Sequence, residues 1–369
     1  MKICFWGELA GALTGTTQGG GELQIALLAK TLVKAGHEVV AIDYNITSDF
    51  ETADGIKVIA IKGYNKGIRY IRTFTHRFPQ LYRTLRDEHA DVYYCRIRDF
   101  RHIFSYLAAR KVKAKFILGL ASDLDVSSFK IRAKYFYASK FGELWWLFSG
   151  ILSEIIYPFL FRHADCIFVQ HEHQKQILEK KGIHSVIFQN LIDLSESLTI
   201  ENPVRNDFIY VGSLDKRKGF TDFFEIVKHT PKCTYKVIGQ ARDRTGYLFL
   251  KKLKAYKNVT IIGRLNHRDT LFHIANSKAL ICTSPIEGFP NTFIEAWSFG
   301  VPVLSLYVDP GNIIKKEALG FVAGGKITEL TDYMLTNDFA RTGVEYVKRN
   351  HAISENKIKE IDSLLEKLL

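Results

Sequence analysis

The chain has 369 residues, of which 47% are hydrophobic and 24% charged, a balance that suits folded domains and excludes a low-complexity protein. Its formal net charge of +12 leaves three explanations open: a nucleic-acid partner, an anionic membrane and a basic face that is only solvated. Its five cysteines are scattered and include no Cys-x-x-Cys pair, which argues against a disulfide framework or a structural zinc and predicts reduced, buried thiols in a cytosolic protein.

The N-terminal half alternates short apolar strands with helices. Strands are predicted at 2–6, 38–43, 56–61, 91–95, 115–120, 165–169 and 185–188, and helices at 20–35, 67–88, 99–111, 143–163 and 172–181. Such alternation predicts a parallel sheet covered on both faces. The apolar stretch in the first predicted strand is too short for a signal peptide.

A polar stretch around 195–206, which contains Pro203, is the predicted linker. Beyond it, strands are predicted at 207–212, 234–238, 259–262, 279–283 and 301–306, and helices at 219–229, 246–256, 268–276, 291–299 and 326–336. The sequence therefore predicts two Rossmann-like domains in tandem, residues 1–195 and 206–345. In the last stretch, 354–368, apolar residues recur at helical spacing: Ile358, Ile361, Leu364, Leu365 and Leu368.

The segment from Glu287 to Glu295 follows a predicted buried strand and carries the most informative chemistry. Pro290 and Gly300 mark the start and the end of a short helix. The N–H groups at a helix start favour an anion such as phosphate, and open α/β sheets bind ligands beyond the carboxyl ends of their strands. The two glutamates would repel a phosphate, so they are predicted to accept hydrogen bonds from sugar hydroxyls beside it. From spacing alone, a helix cap plus a solvated glutamate explains them equally well.

The sequence Glu287-Gly288-Phe289-Pro290-Asn291-Thr292-Phe293-Ile294-Glu295 resembles the paired-glutamate motif of the family 4 retaining glycosyltransferases, also called group 1. A further resemblance to the same family lies at 210–219, and looser ones lie at the glycines 19–21 and at 164–193, so the resemblance covers nearly the whole chain. It implies an α/β GT-B fold, in which two Rossmann-like domains face each other across a cleft. It also implies that the last helix, here about 350–369, crosses back onto the N-terminal domain.

The resemblance further implies a hexosyltransferase-type enzyme that takes sugar from a nucleoside diphosphate donor with retention and needs no metal for catalysis. Glu287 is then expected at the donor sugar, Glu295 at the ribose and Lys218 at the phosphates. The other predicted donor-binding residues come from the same motifs: Gly20, Gly21, Ser213, Arg217, Arg264, Gly288, Phe289, Pro290, Asn291 and Thr292. His171 and His173 lie two residues apart, but no third ligand is placed by spacing and no metal site is predicted.

Two positions depart from the family's pattern. The family usually has an arginine where this chain has Ser213, and Arg217, Arg242 or Arg264 is predicted to supply the missing cation. Many relatives carry a histidine near the position of Asp123. Here Asp123, counted among the catalytic candidates, and Asp125 are predicted to polarise the acceptor or bind the donor sugar, or else to cap the next helix.

The apolar run 143–161 is interrupted by Glu154 and Pro158 and is shorter than the roughly 20 residues of a membrane-spanning helix. It is predicted either as a core helix or as an interfacial helix on the membrane. In the second case the acceptor is lipid-linked, and the basic segment before the run binds anionic headgroups: Lys130, Arg132, Lys134 and Lys140. A second basic segment, in the N-terminal half, belongs to the same excess of positive charge: Arg69, Arg72, Arg77, Arg83 and Arg86.

The interpretation favoured by these patterns is a cytoplasmic, peripherally membrane-bound glycosyltransferase of cell-surface polysaccharide biosynthesis. Its expected partners are a nucleotide sugar and a saccharide or lipid-linked acceptor. A GT-B-fold nucleotide-sugar epimerase is one alternative, because it would share the donor site. A basic nucleic-acid-binding protein is another, although no recognisable nucleic-acid motif accompanies the positive charge.

Overall fold

The computed structural model describes residues 1–16, 19–68, 71–134, 144–196 and 205–368. The predicted linker around Pro203 falls largely outside them, as do Arg69 and Lys140 of the basic segments. The chain divides into two units. The first consists of Met1–Ala121, Gly142–Leu191 and Ile353–Leu369, and the second of Ser122–Phe141 and Ile192–Ala352.

The first unit contains a parallel sheet that has one antiparallel edge. Its strands are β1 Lys2–Gly7, β2 Glu38–Asp43, β3 Phe50–Glu51, β4 Lys57–Ala60, β5 Val92–Arg96, β6 Lys115–Gly119, β7 Cys166–Val169 and β8 Val186–Ile187. Within the described residues their order is β3-β4-β2-β1-β5-β6-β7-β8, and β3 pairs antiparallel with β4. All seven predicted strands are present. The extra strand, β3, has two residues and is too short to show alternation.

The first unit also contains seven α-helices among the described residues. They are α1 Ala10–Leu13, α2 Gly20–Lys34, α3 Phe78–Asp87, α4 His102–Val112, α6 Leu144–His163, α7 Glu172–Glu179 and α15 Glu355–Glu366. The C-terminal helix α15 confirms the prediction that the end of the chain returns to the N-terminal domain. Its Ile361 and Leu365 are buried in one cluster with Phe5 and Ile117.

The second unit is built on a smaller sheet that is parallel throughout. Its strands are β9 Phe208–Val211, β10 Tyr235–Ile238, β11 Val259–Gly263, β12 Ala279–Cys282, β13 Val303–Ser305 and β14 Gly320–Val322, in the order β11-β10-β9-β12-β13-β14. Its helices are α5 Phe129–Arg132, α8 Phe220–His229, α9 Arg244–Leu253, α10 His267–Ala275, α11 Asn291–Ser298, α12 Ile313–Lys316, α13 Ile327–Thr336 and α14 Val344–Asn350. The order reverses between β9 and β12, which is where open α/β sheets bind ligands.

All five cysteines are free, and burial raises the pKa of each thiol. The pKa reaches about 11 for Cys166 and for Cys282, and about 12 for Cys95. These thiols are therefore protonated and weakly reactive at neutral pH. Among the helices of the described residues, none has both the length and the apolarity needed to cross a bilayer.

A buried histidine in the first unit predicts a pH-dependent stability. His102 is 2% exposed, and its Nδ1 lies 2.8 Å from the Tyr157 hydroxyl. Burial lowers its pKa to about 4, against the opposing influence of Asp99. In the unfolded chain the imidazole titrates near pH 6.5, so the unfolded state binds more protons between these two values. We expect the free energy of unfolding to fall by up to about 3 kcal/mol as the pH drops from about 6.5 to about 4.

Urea unfolding at a series of pH values measures this effect. Carboxylates also titrate in the lower part of the range, so the informative quantity is the difference between the wild type and His102→Gln. The variant is expected to lose the part of the slope that belongs to His102. Parallel stability curves for the two proteins would contradict the assignment.

Candidate active site

The candidate site is formed by the loops that leave the adjacent carboxyl ends of β9 and β12. Gly219 has a φ of +65°, and a Cβ on it would lie 1.9 Å from the carbonyl oxygen of Thr283. Only glycine fits both the backbone conformation and this close approach. The Thr283 hydroxyl also donates to the Lys218 carbonyl at 3.0 Å. The loop after β9 is thus fixed on the end of β12.

These contacts place Lys218 next to Glu287, and the two side chains form an ion pair. Lys218 ends a short 3-10 helix, Lys216–Lys218, and Glu287 lies in the loop after β12. The pair is partly exposed, with 31% of the lysine side chain and 17% of the glutamate side chain accessible. The predicted phosphate-binding cation and the predicted sugar-binding carboxylate are therefore neighbours.

Helix α11 begins directly after this loop and is anchored by its apolar side. Phe293 and Trp297 are fully buried, and the Trp297 indole donates to the Leu319 carbonyl at 2.9 Å. Pro290 is the N-cap residue and has no side chain that caps the first turn. Asn291 and Thr292, which begin the helix, are partly exposed. The start of α11, with its positive partial charge, is thus held rigidly beside the Lys218–Glu287 pair.

Glu295 is buried on α11, and its Oε1 lies 3.0 Å from Nε2 of His267. His267 is the first residue of α10, whose start is capped by the Asn266 side chain. No motif or spacing in the sequence predicted a role for His267. Its one signal was its position as a polar residue shortly after the carboxyl end of β11. The imidazole fixes the orientation of the carboxylate, because one Glu295 oxygen is engaged with it.

Ser213 and Arg217 converge on Asp215. The Ser213 hydroxyl donates to Asp215 Oδ2 at 2.8 Å, and Arg217 Nη2 lies 3.7 Å from the same oxygen. Asp215 also caps the 3-10 helix by accepting from the Lys218 N–H at 2.9 Å. Of the three arginines proposed to replace the missing cation, Arg217 is the one held beside Ser213. Arg242 and Arg264 are exposed.

Asp123 lies against the motif loop through its backbone, because its N–H donates to the Glu287 carbonyl at 3.1 Å. Ser122 and Asp125 form a capping box at the short helix Asp123–Asp125. The Leu124 N–H donates to Ser122 Oγ, and the Ser122 N–H donates to Asp125 Oδ2. The capping alternative therefore applies to Asp125. The catalytic assignment of Asp123 stays a prediction.

Other predicted residues contribute differently. The Phe289 side chain is 3% exposed and packs on His351, with 4.9 Å between the ring centroids, so it offers a ligand no side-chain surface. Gly288 is also buried. Gly20 and Gly21 begin α2 and belong to the first unit. Their contribution to a donor site stays a prediction.

The chemistry available at this site is charge stabilisation and hydroxyl binding. A lysine ammonium and a helix start favour a phosphate group, while Glu287 and Glu295 accept hydrogen bonds from hydroxyls. The Cys282 thiol nearby is protonated, since burial and then the Glu287 charge raise its pKa to about 11. Within the described part of the chain, no group of three or more histidine, cysteine, aspartate or glutamate side chains is arranged to hold a metal ion.

Comparisons with known proteins show the family to which the chain is similar. The family model for Glycosyltransferase Family 4 matches residues 18–196, and the model for Glycosyl transferases group 1 matches residues 198–336. An uncharacterized glycosyltransferase of Methanocaldococcus jannaschii is 27% identical over 182 residues, which is 42% of this chain and 44% of the relative. The match thus spans less than half of that relative's length.

Two solved structures have the same fold over essentially the whole chain. Sucrose-phosphate synthase from Thermosynechococcus elongatus superposes with a TM-score of 0.73 at 15% identity, and the match covers 100% of this chain and 98% of the other. Anabaena HepE in complex with UDP-glucose superposes with a TM-score of 0.69 at 13% identity, and the match covers 100% of both chains.

Proposed function

Because this chain belongs to the group 1 glycosyltransferases of family 4, which have the GT-B fold, we propose that it transfers a sugar from a nucleoside diphosphate donor to a saccharide or lipid-linked acceptor. Retention of the anomeric configuration and a place in cell-surface polysaccharide biosynthesis are parts of this proposal. The observation that carries it is the Lys218–Glu287 pair beside the start of α11, with Glu295 fixed on the same helix.

In the proposed complex the donor's diphosphate lies at the start of α11 and next to Lys218. The ammonium group then exchanges its contact with Glu287 for the phosphate oxygens, and Glu287 turns to hydroxyls of the donor sugar. Glu295, oriented by His267, accepts hydrogen bonds from the ribose. Ser213 and Arg217 extend the site on the phosphate side, where their shared contact with Asp215 holds them.

Breaking the sugar–phosphate bond leaves negative charge on the departing diphosphate. Fixed positive groups stabilise that charge without having to reorganise during the reaction. Lys218 and the α11 N–H groups supply this stabilisation, so no side chain needs to form a covalent bond to the sugar. Proton transfer then goes from the acceptor hydroxyl to the departing phosphate, with Asp123 proposed to hold the acceptor or the donor sugar beside Glu287.

A donor screen tests the proposal. HepE has been solved with UDP-glucose, so UDP and UDP-glucose are the first compounds to try, followed by other nucleotide sugars. We expect one nucleoside diphosphate to raise the melting temperature and its sugar conjugate to support transfer to a saccharide. A short oligonucleotide is the control for non-specific binding to a chain of net charge +12. Sugar interconversion without transfer would support an epimerase instead.

We also propose that the first unit binds an anionic membrane surface through α6. Four apolar side chains on α6 are exposed at spacings of three or four residues, which places them on one side of the helix: Phe148, Ile151, Ile155 and Phe159. Phe74, itself 58% exposed, contacts Phe148 and extends this apolar surface. Arg162 and His163 are exposed at the end of α6, so a basic group adjoins it. Apolar side chains beside basic ones suit an interface with anionic lipids.

Flotation with vesicles that contain anionic lipid tests the membrane proposal at low and high salt. The double variant Ile151→Glu/Ile155→Glu is expected to lower vesicle binding by about tenfold for each isoleucine. Leu335→Glu is the matched control, because it places the same charge at an exposed apolar position of the second unit. Wild-type protein that fails to float at either salt concentration would reject the proposal.

A further inference from the structure

Arg96 is a buried cation in the first unit that the proposed donor site does not use. It ends β5 and is 6% exposed. Its Nη2 donates to Asn190 Oδ1 at 2.8 Å, and its Nε is buried without a hydrogen-bond partner. No carboxylate among the described residues forms an ion pair with it. A buried charge is costly unless a partner of opposite sign compensates it, so Arg96 is poised for an anion.

The side chains around Arg96 are neutral: they include the buried phenol of Tyr94, whose pKa is raised by burial, and a network of amides. Asn190 Oδ1 also accepts from Gln170 Nε2 at 3.0 Å. The backbone N–H of Gln170 in turn donates to Gln174 Oε1 at 2.8 Å. All three amide residues are buried. This network orients the guanidinium from one side through Asn190 and supplies no negative charge to balance it.

Arg96 lies at the carboxyl end of β5, beside a reversal of strand order, which is where open α/β sheets bind ligands. β1 pairs with β2 on one side and with β5 on the other, so the strand order reverses at the β1–β5 boundary. The start of α2 packs there as well, since a Cβ on Gly21 would lie 2.6 Å from Ile97 Cδ1. The side-chain amide of Gln24 on α2 forms two hydrogen bonds with the Leu191 backbone. It donates to the Leu191 carbonyl at 2.9 Å and accepts from the Leu191 N–H at 2.7 Å. Residues adjacent to both Arg96 and Asn190 are therefore fixed to the first turns of α2.

The start of α2 already has its own carboxylate. The Glu22 side chain folds back over Gly19, where a Cβ would lie 2.1 Å from Glu22 Oε2. A carboxylate in the first turn satisfies the positive end of the helix dipole. Of these two positive groups, the start of α2 and Arg96, it is thus Arg96 that is left for a ligand.

We propose that Arg96 binds an oxyanion of the acceptor, either a phosphate or a sugar carboxylate. The inference rests on the proposed glycosyl transfer and deepens it, because it states that the acceptor is anionic. The phosphates of the donor already have Lys218 and the start of α11, which belong to the second unit. A guanidinium presents two parallel donors that match the oxygens of a phosphate or carboxylate.

Thermal shift measurements on the full chain test this inference. Glucose 6-phosphate, glucuronate and neutral glucose are compared at matched ionic strength, with a saturating nucleoside diphosphate from the donor screen in every sample. At about ten times its dissociation constant, one of the two anions is expected to raise the wild-type melting temperature by about 3–5 °C. Arg96→Gln is expected to lose this shift. Arg83→Gln, which removes the same charge from an exposed position of the same unit, is expected to keep it.

The unliganded stability of the variants gives a second readout. Removing an uncompensated buried charge should leave Arg96→Gln as stable as the wild type or more stable, whereas a purely structural arginine would lose stability. Arg96→Lys keeps the charge but not the planar fork, and is expected to show a weaker anion shift.

Each outcome decides the matter. A response to glucose 6-phosphate identifies a phosphorylated acceptor, and a response to glucuronate an acidic sugar. Three outcomes would each overturn the inference. The anion shift could be equal in Arg96→Gln and the wild type, or the wild type could show no anion shift. The Arg96 variants could also show no anion shift and be less stable than the wild type. Parallel wild-type samples without the nucleoside diphosphate read its binding, so failure of the donor proposal is seen separately.

Discussion

Replacing Lys218 by alanine is expected to lower kcat for sugar transfer about 100- to 1,000-fold, the usual loss when one fixed donor to a developing negative charge is removed. The charge on the departing diphosphate is largest in the transition state, so kcat should fall more than donor affinity. The chain should stay folded, because the Lys218–Glu287 pair is partly exposed and such pairs contribute little to stability. Steady-state kinetics with the donor found in the screen measure the effect.

Lys216→Ala is the matched control for this variant. Lys216 opens the same 3-10 helix, is exposed and carries the same charge two residues away. If turnover depends on the local positive potential in general, both variants will lose activity to a similar extent. If it depends on the position that the Gly219–Thr283 contact gives to Lys218, the control will keep nearly full activity.

The fold could be predicted well because its elements are long enough to show their patterns. The predicted strand 38–43 matches β2 residue for residue, and the predicted helix 20–35 differs from α2 by one residue. The elements not predicted are short or poor in pattern. β14 has three residues and begins with Gly320, and α14 lies at the end of the predicted second domain. Such elements are stabilised by tertiary contacts that no local pattern reveals.

The sequence patterns predicted most of the residues that lie together at the candidate site, His267 excepted, but not their contacts. Lys218 and Glu287 are 69 residues apart in the chain, and His267 and Glu295 are 28 apart. Each pair forms because two parallel strands end at the same edge of the sheet. The hydrophobic periodicity of the sequence predicts which residues face the core, but it does not predict which polar side chains come into contact. The shared contact of Ser213 and Arg217 with Asp215 is likewise visible in the structure alone.

The two glutamates are expected to act on different parts of the donor, and this difference can be measured. Glu287→Gln should weaken binding of the nucleotide sugar but not of the free nucleoside diphosphate, which lacks the sugar. Glu295→Gln should weaken both, because the ribose is present in each. Loss of a hydrogen bond to a charged group costs about 1.5–3 kcal/mol, so each affected affinity should fall about 10- to 100-fold.

Calorimetric titration of each variant with both ligands separates these effects. Glu329→Gln is the control, since Glu329 is an exposed residue of the second unit whose carboxylate pairs with Lys326 across one helical turn. His267→Ala should reproduce part of the loss of affinity seen in Glu295→Gln, because the proposed role of the imidazole is to orient that carboxylate. If Glu295→Gln binds the free nucleoside diphosphate as tightly as the wild type does, the Glu295–His267 contact only joins α10 to α11, and the ribose is recognised by other residues.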